Sequence, residues 1–514
     1  MSSLSNNLTQ DQDIPIVLVP GFLGFGPPLF GALNYWGGIN DIPSLLMDKG
    51  YTVIVAPIAP ISSNWERACE LYAQLRTGGF YRFDPKTNAT PNAYDVDVDY
   101  GTFPNLDPEH KPKAYTRQCR RAMLFTKSDE FNNWKWDGDR RVHFLCHSQG
   151  GNTVRYLISL MKRGAPAERP HFDDHDRVIS VTTLGTPYKG TTIIDVLKNF
   201  ASGSETLLVK HLARVFATLS FQDPKERAYD LQLDHWGICR KDKQSFSEMR
   251  ENLESEDGPV WNWWKSNCNG FYDNSIEGVN HLHLHTEAAS DNVYYFTLSF
   301  DCTIPFPTTW PPWTLQAIST FPIGLTEFVR NVLNLIPGLS FIVDRILDGI
   351  PPLAGWRILS SILTIRDLVR WFTTEVGNRL LQEMGYNLNL PLPGKYLPRT
   401  DVLPFLLPTV YAMGGQELSP KQKNILGPNQ GDWFRNDGVV NTESMRGPTD
   451  LLVRKIETFP DTNIGDNRGL YWNLGVHDRM DHIDEVGVYV EETTAQAMEL
   501  MYANLAAVVS RLPH

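Results

Sequence analysis

A serine, an aspartate and a histidine, far apart in this chain, stand in local contexts suited to nucleophilic catalysis. Ser148 lies in the run Val142-His143-Phe144-Leu145-Cys146-His147-Ser148-Gln149-Gly150-Gly151. An apolar strand pattern stops at the serine, two glycines follow, and a helical pattern begins. Such a sharp strand-to-helix turn exposes the serine oxygen, and the small neighbours let the helix start close to the strand. Cys146 takes the place of the first glycine of G-x-S-x-G; two residues early, inside the strand, it reads as packing rather than as a rival nucleophile. A serine hydroxyl attacks well only if a base takes its proton and a carboxylate orients that base. Asp437, in the turn Asn436-Asp437-Gly438 before Val439-Val440, and His482, in Met480-Asp481-His482-Ile483-Asp484-Glu485, supply both in the order serine, acid, base. Taken singly, Asp437 is an ordinary turn aspartate and His482 a loop histidine; the three together, in that order, favour catalysis. His477 is a second candidate base. The oxyanion of an acyl-transfer intermediate needs two backbone N–H groups. Gln149, after the nucleophile, and Phe22, in the glycine-rich turn Pro20-Gly21-Phe22-Leu23-Gly24, are the candidates.

These residues need a scaffold, and its pattern is legible. Ile14 to Pro20, Tyr51 to Ala56, Val142 to Cys146 and Val178 to Thr183 are short apolar runs typical of strands buried on both faces, while Trp65 to Leu71 reads as a helix. Strands alternating with helices predict an α/β fold with a mostly parallel central sheet covered by helices. The 514 residues are enough for a large core, and 42% hydrophobic with 21% charged residues is an ordinary globular composition. A formal net charge of −12 argues against nucleic acid and strongly anionic membranes as partners. Residues 1–13 read as a polar tail without a secretory signal, and no apolar run is long enough for a spanning helix. The six cysteines lack a C-x-x-C or a dense framework and read as free thiols. The expected location is therefore cytoplasmic or peripheral to lipid surfaces.

Several longer runs then become recognisable: PIVLVPGFLGFG (15–26), YWGG (35–38), SSNWERACELYAQL (62–75), VHFLCHSQGGNT (142–153), VTTLGTPYKGTT (181–192), LDHWG (233–237), NDGVVNTESMRGP (436–448) and MDHIDEVGV (480–488). With them the chain resembles the large bacterial lipases of the thermoalkalophilic and staphylococcal group, a branch of the α/β-hydrolases. The resemblance implies Ser148 as nucleophile, Asp437 as acid and His482 as base, with the Phe22 and Gln149 amides at the oxyanion. It also implies a structural zinc, for which Glu66, His110 and Asp234 stand near the family's ligand positions; the fourth position falls near Pro104, and Asp107 or Glu109 are substitutes. The family's histidine beside the oxyanion loop is Pro20 here. For its calcium site, Asp484 or Glu485 stands for the glutamate, but Tyr489 and Val490 replace an aspartate and a proline, so calcium is not expected. No cofactor is required for the chemistry. His281, His283 and His285, in His-Leu-His-Leu-His, read as a surface or core-edge cluster, because a metal needs convergent ligands.

The expected protein is one hydrolase domain over 14–514. It carries a lid at about 190–240 with an apolar stripe of Leu208, Leu212, Val215, Phe216 and Leu219, and a mainly helical insertion at about 303–425. Within the insertion, Leu325, Phe328, Val329, Val332 and Leu333 form one stripe, and Ile358, Ile362, Ile365, Val369 and Phe372 another. These stripes pack on the core or meet a neutral lipid surface. The expected activity is carboxylester hydrolysis of acylglycerols through an acyl-enzyme. The alternatives are a phospholipase, thioesterase or acyltransferase on the same triad, or a binding scaffold without catalysis.

Overall fold

The computed structural model describes residues 12–513 apart from 27–33, 39, 85–93, 105, 164–171, 173–175, 201–203, 228, 287–288, 306–394, 400, 404–405, 429, 450, 461–463, 489 and 491. Both apolar stripes of the insertion lie outside the described residues. In chain order the N-terminal elements are β1 (Ile16–Val19), α1 (Ile42–Asp48), β2 (Val53–Val55), α2 (Asn64–Thr77), β3 (Tyr81–Arg82), β4 (Tyr94–Asp99), β5 (Thr116–Arg120) and β6 (Met123–Phe125). There follow β7 (Val142–His147), α3 (Gln149–Arg163), β8 (Val178–Leu184), α4 (Ile193–Phe200), α5 (Glu205–Ser220), α6 (Phe246–Glu254), α7 (Pro259–Lys265), α8 (Gly270–Asn274), α9 (Ile276–His285) and β9 (Tyr294–Phe300). The C-terminal elements are β10 (Thr303–Pro305), β11 (Tyr396–Pro398), α10 (Leu407–Met413), α11 (Pro420–Leu426), β12 (Val453–Lys455), β13 (Tyr471–His477) and α12 (Glu492–Val509).

Among the described residues, nine strands form one sheet in the order β12-β13-β9-β8-β7-β1-β2-β6-β3. From β12 to β2 every pairing is parallel, and β6 pairs antiparallel to β2 at the far side. The unbroken apolar runs follow from cover on both faces. Val17 and Val19 of β1 point into a core shared with α2 and α3 (Leu71, Val154, Leu157). Ile16 and Leu18 point the other way, into a core with α1 and α12 (Leu46, Met498, Tyr502). Each fully buried side chain of this size contributes about 1.5–3 kcal/mol.

The sheet register brings the chemistry together. β1 runs parallel to β7 from Ile16 opposite His143 to Val19 opposite Cys146, so the turn after β1 lies beside the turn after β7. His482 follows β13, and the Asp437 turn is tied just past β9 by the Cys302 N–H donating to the Asn436 carbonyl at 2.9 Å. All three arise at the C-terminal ends of parallel strands, where open α/β sheets bind ligands.

Candidate active site

Ser148 sits on the turn between β7 and α3 with φ +52°, a left-handed conformation that a serine adopts only when its surroundings enforce it. Its N–H donates to the Leu184 carbonyl at 2.8 Å, and its carbonyl accepts from the Thr186 hydroxyl at 2.7 Å and from the Gly151 N–H at 3.1 Å. The two glycines that follow are needed for close approach: a Cβ at Gly150 would lie 2.5 Å from the Val19 carbonyl oxygen, and one at Gly151 2.3 Å from Thr186 Oγ1. Cys146 is buried in β7, and burial pushes its thiol well above the usual range, which suits packing and not attack.

His482 Nε2 lies 3.0 Å from Ser148 Oγ, and His482 Nδ1 lies 2.8 Å from Asp437 Oδ2. Asp437 Oδ1 accepts the N–H groups of Val439 (2.8 Å) and Val440 (2.7 Å), so the carboxylate is held by the turn that carries it. With Oδ2 accepting from Nδ1–H, Nε2 is left bare to take the serine proton. Burial works against the imidazolium, but Asp437 and then Glu485 outweigh it and hold His482 above the usual histidine range, making it a stronger base. His477, by contrast, ends β13 with its ring beside Phe300.

The turn after β1 comes close enough that a Cβ at Gly21 would lie 2.5 Å from Ser148 Cβ. Among the described residues, no backbone carbonyl takes the N–H of Phe22 or of Gln149; both donors are available to an oxyanion. The loop is braced by Arg67, buried on α2, whose guanidinium donates to the carbonyls of Pro20, Gly21 and Ala59 and to Thr153 Oγ1. That brace was not anticipated from the sequence, where Arg67 is simply one charged residue on a helix.

The implied zinc site does not fit these residues. Glu66 Oε2 accepts the Ser63 N–H (2.9 Å) and hydroxyl (2.6 Å), closing a capping box on α2. Glu66 Oε1 contacts His235 Nε2 at 2.6 Å and accepts the Trp236 indole N–H at 2.8 Å. Asp234 is gripped at both oxygens by Arg227, at 2.7 and 2.9 Å. His110 is half-buried in a turn closed by the Asp107 carbonyl, and it forms no ligand group with Glu66 or Asp234 among the described residues. A metal needs bare carboxylate oxygens from several ligands at once, and here an arginine and a helix cap already hold them. The pattern Ser63-x-x-Glu66 is the sequence signal of this capping box. We therefore expect purified protein to carry no stoichiometric zinc, and EDTA to move its Tm by no more than about 1 °C; a drop of many degrees on chelation would overturn this. At the calcium positions, Asp484 Oδ2 accepts the Asp481 N–H at 3.1 Å, and Val490 has no side-chain oxygen.

The histidine run is helical. His281 and His285 pair on one face of α9 with their Nε2 atoms 3.2 Å apart, while His283 Nε2 reaches the Tyr188 carbonyl at 2.9 Å. On α5, Leu208 and Phe216 are buried and Leu212 and Leu219 partly so, but Val215 faces outward. All six cysteines are unpaired. Among the described residues no helix is long and apolar enough to cross a membrane.

Among known proteins, the family described as "Lipase-like, C-terminal domain" matches residues 124–305, which include Ser148 but neither Asp437 nor His482. Lipase 1 of Staphylococcus aureus is 30% identical over 310 residues, covering 57% of this chain and 39% of that protein. A lipase of Staphylococcus epidermidis is 28% identical over 305 residues, covering 56% and 38%. The chain thus spans about two fifths of the length of the curated relatives it matches. In fold it is similar to the crystal structure of Staphylococcus hyicus lipase (TM-score 0.60, 21% identity, 97% of this chain and 96% of that one). It is also similar to EstA from Clostridium botulinum (TM-score 0.58, 23% identity, 99% and 90%).

Proposed function

From a chain related in sequence to the staphylococcal-type bacterial lipases and carrying an α/β-hydrolase fold, we propose a serine carboxylester hydrolase that cleaves acylglycerol esters. The observation that carries this reading is the hydrogen-bonded set Ser148 Oγ, His482, Asp437 beside two backbone N–H groups that no backbone carbonyl takes among the described residues. His482 Nε2 takes the proton of Ser148 as Oγ attacks the ester carbonyl. The carbonyl oxygen, now negative, is held by the N–H groups of Phe22 and Gln149. Asp437 keeps the imidazolium oriented. His482 then gives its proton to the leaving alcohol, which departs and leaves an acyl-Ser148. A water repeats the sequence with His482 as base, releasing the fatty acid and restoring Ser148.

Ser148 is 2% exposed, so an ester reaches it only after a covering segment moves. We take the 190–240 region as that lid. Three outward apolar side chains support peripheral contact with neutral lipid as the trigger: Leu23 in the oxyanion turn (55% exposed), with Leu207 (44%) and Val215 (40%) on α5. The expected result is turnover of p-nitrophenyl esters that favours long acyl chains and rises when triglyceride is emulsified above its solubility. Activity confined to short chains, with no rise at the interface, would make the protein an esterase with a restricted pocket.

A further inference from the structure

Glu485 is fully buried beside the triad, and no lysine or arginine forms an ion pair with it among the described residues. Its Oε1 lies 3.5 Å from His482 Nδ1, and its Oε2 lies 3.1 Å from His147 Nε2. His147, the residue before the nucleophile, is oriented from its other side. Its Nδ1 is 2.6 Å from the Tyr35 hydroxyl, whose oxygen accepts the Gly21 N–H at 3.0 Å. Among the described residues Nδ1 is the acceptor in reach of the Tyr35 O–H, and with that bond the proton of neutral His147 is on Nε2, on the side of Glu485. Burial keeps that ring neutral by pushing it well below the usual histidine range. Both Glu485 oxygens thus lie against ring nitrogens at contact distance without an aligned hydrogen bond, and His147 Nε2 likewise has no aligned partner.

The surrounding structure makes room for this carboxyl. Gly185, at φ +58°, is the residue a side chain would exclude: a Cβ there would lie 2.1 Å from Glu485 Oε2. The Tyr502 hydroxyl on α12 fixes the backbone by donating to the Glu485 carbonyl at 2.9 Å.

We propose that Glu485 is a second carboxylate for the catalytic histidine, a positioning residue whose charge faces the His482 Nδ1–H held by Asp437 and which, packed against His147 and through that ring's bond to Tyr35, is linked to the oxyanion loop. This rests on the serine-hydrolase reading above. Atoms of His147, His482 and Glu485 also lie within 4.8 Å of one another, as metal ligands would. Yet both nitrogens of His482 are engaged, by Asp437 and by Ser148, so the cluster belongs to the proton network.

The titratable groups facing Glu485 are His482, Asp437, His147, Tyr35 and Tyr502. Burial, reinforced by Asp437, pushes its carboxyl well above the usual range despite the opposing pull of His482. Glu485 and His482 therefore titrate as a pair, the carboxylate being charged when the imidazole is protonated, so the charge that Glu485→Gln removes is the one that stabilises the imidazolium.

Glu485→Gln keeps the volume and removes the charge. A negative neighbour raises the imidazole, so its loss makes His482 a weaker base. The acid limb of kcat/KM is then expected to move about one pH unit lower, with KM little changed. In an Asp437→Asn background Glu485 is the remaining acceptor for Nδ1–H, and adding Glu485→Gln is expected to remove about a further tenfold in kcat. Tm and near-UV circular dichroism check that each variant is folded. Should Glu485→Gln fail to fold, Tyr35→Phe tests the same network, because it frees the His147 tautomer, and a smaller shift in the same direction is expected. An acid limb at its wild-type position, with no added loss in the Asp437→Asn background, overturns the proposal. The pH dependence of Ser148 phosphonylation by a fluorophosphonate is read in parallel. Protein that is labelled but turns over no ester refutes the ester-hydrolase reading and still reports on Glu485.

Discussion

Replacing Ser148 by alanine is expected to lower kcat for ester hydrolysis by about 10⁵- to 10⁶-fold. The variant keeps the Phe22 and Gln149 N–H groups, so a small residual rate from oxyanion stabilisation remains. It loses the atom that His482 Nε2 is poised to deprotonate, at 3.0 Å. Folding should survive. Alanine keeps the Cβ, and the backbone bonds to Leu184, Thr186 and Gly151 that enforce the positive φ do not involve the hydroxyl. The deleted hydrogen bond is worth about 0.5–1.5 kcal/mol, a modest loss in Tm. The measurement is kcat on a p-nitrophenyl ester together with fluorophosphonate labelling. If Ser148→Ala kept more than about a hundredth of the wild-type rate, a different nucleophile would be at work. Cys146 is not a ready candidate, since it is buried inside β7.

The second large effect is on the acid. Asp437→Asn should cost about 10³- to 10⁴-fold in kcat at neutral pH, with KM close to wild type. The amide oxygen can still accept from Val439 and Val440, so the turn is kept. The amide nitrogen then takes the place of Oδ2, 2.8 Å from His482 Nδ1. Two donors cannot face each other, so the imidazole moves its proton to Nε2, and the nitrogen aimed at Ser148 can no longer accept one. The loss should fall short of that for Ser148→Ala, because Glu485 Oε1 remains near Nδ1 to favour the productive tautomer in part of the population. A rate within about tenfold of wild type would mean that Asp437 does not orient the base.

Both predictions concern residues that stand out in the sequence, and the reason is physical. A buried parallel strand leaves an unbroken apolar run. A tight turn into a helix leaves glycines, because any Cβ at Gly150 or Gly151 would strike Val19 or Thr186. The Asn436-Asp437-Gly438 turn needs its own short residues. Such constraints act within a few positions, so Ser148, Asp437 and the strands β1, β2, β7 and β8 are readable as local patterns. Their order along the chain then supplies the catalytic reading.

What the sequence could not decide were the partners of buried charges. Glu66 appears beside Asp234 and His110 as a metal ligand by position, yet its two oxygens are used by Ser63 three residues away and by His235 and Trp236 far along the chain. Arg67 looks like a surface charge and instead holds the oxyanion loop. The loop Asp481-His482-Ile483-Asp484-Glu485 offers three carboxyls near the base, and spacing does not say which one faces it. Tertiary packing decides. Asp481 turns to cap the Leu403 N–H at 2.9 Å and its own loop, Asp484 follows it, and Glu485 enters the space left by Gly185 to meet His147 and His482. The sequence by itself determined the strand-turn-helix frame and the order Ser148, Asp437, His482 on which the proposed chemistry rests, because backbone sterics and side-chain periodicity are short-range. Only the tertiary structure decided which charges pair, because a buried charge is stabilised by whichever group the fold brings within about 3 Å, however distant in the chain.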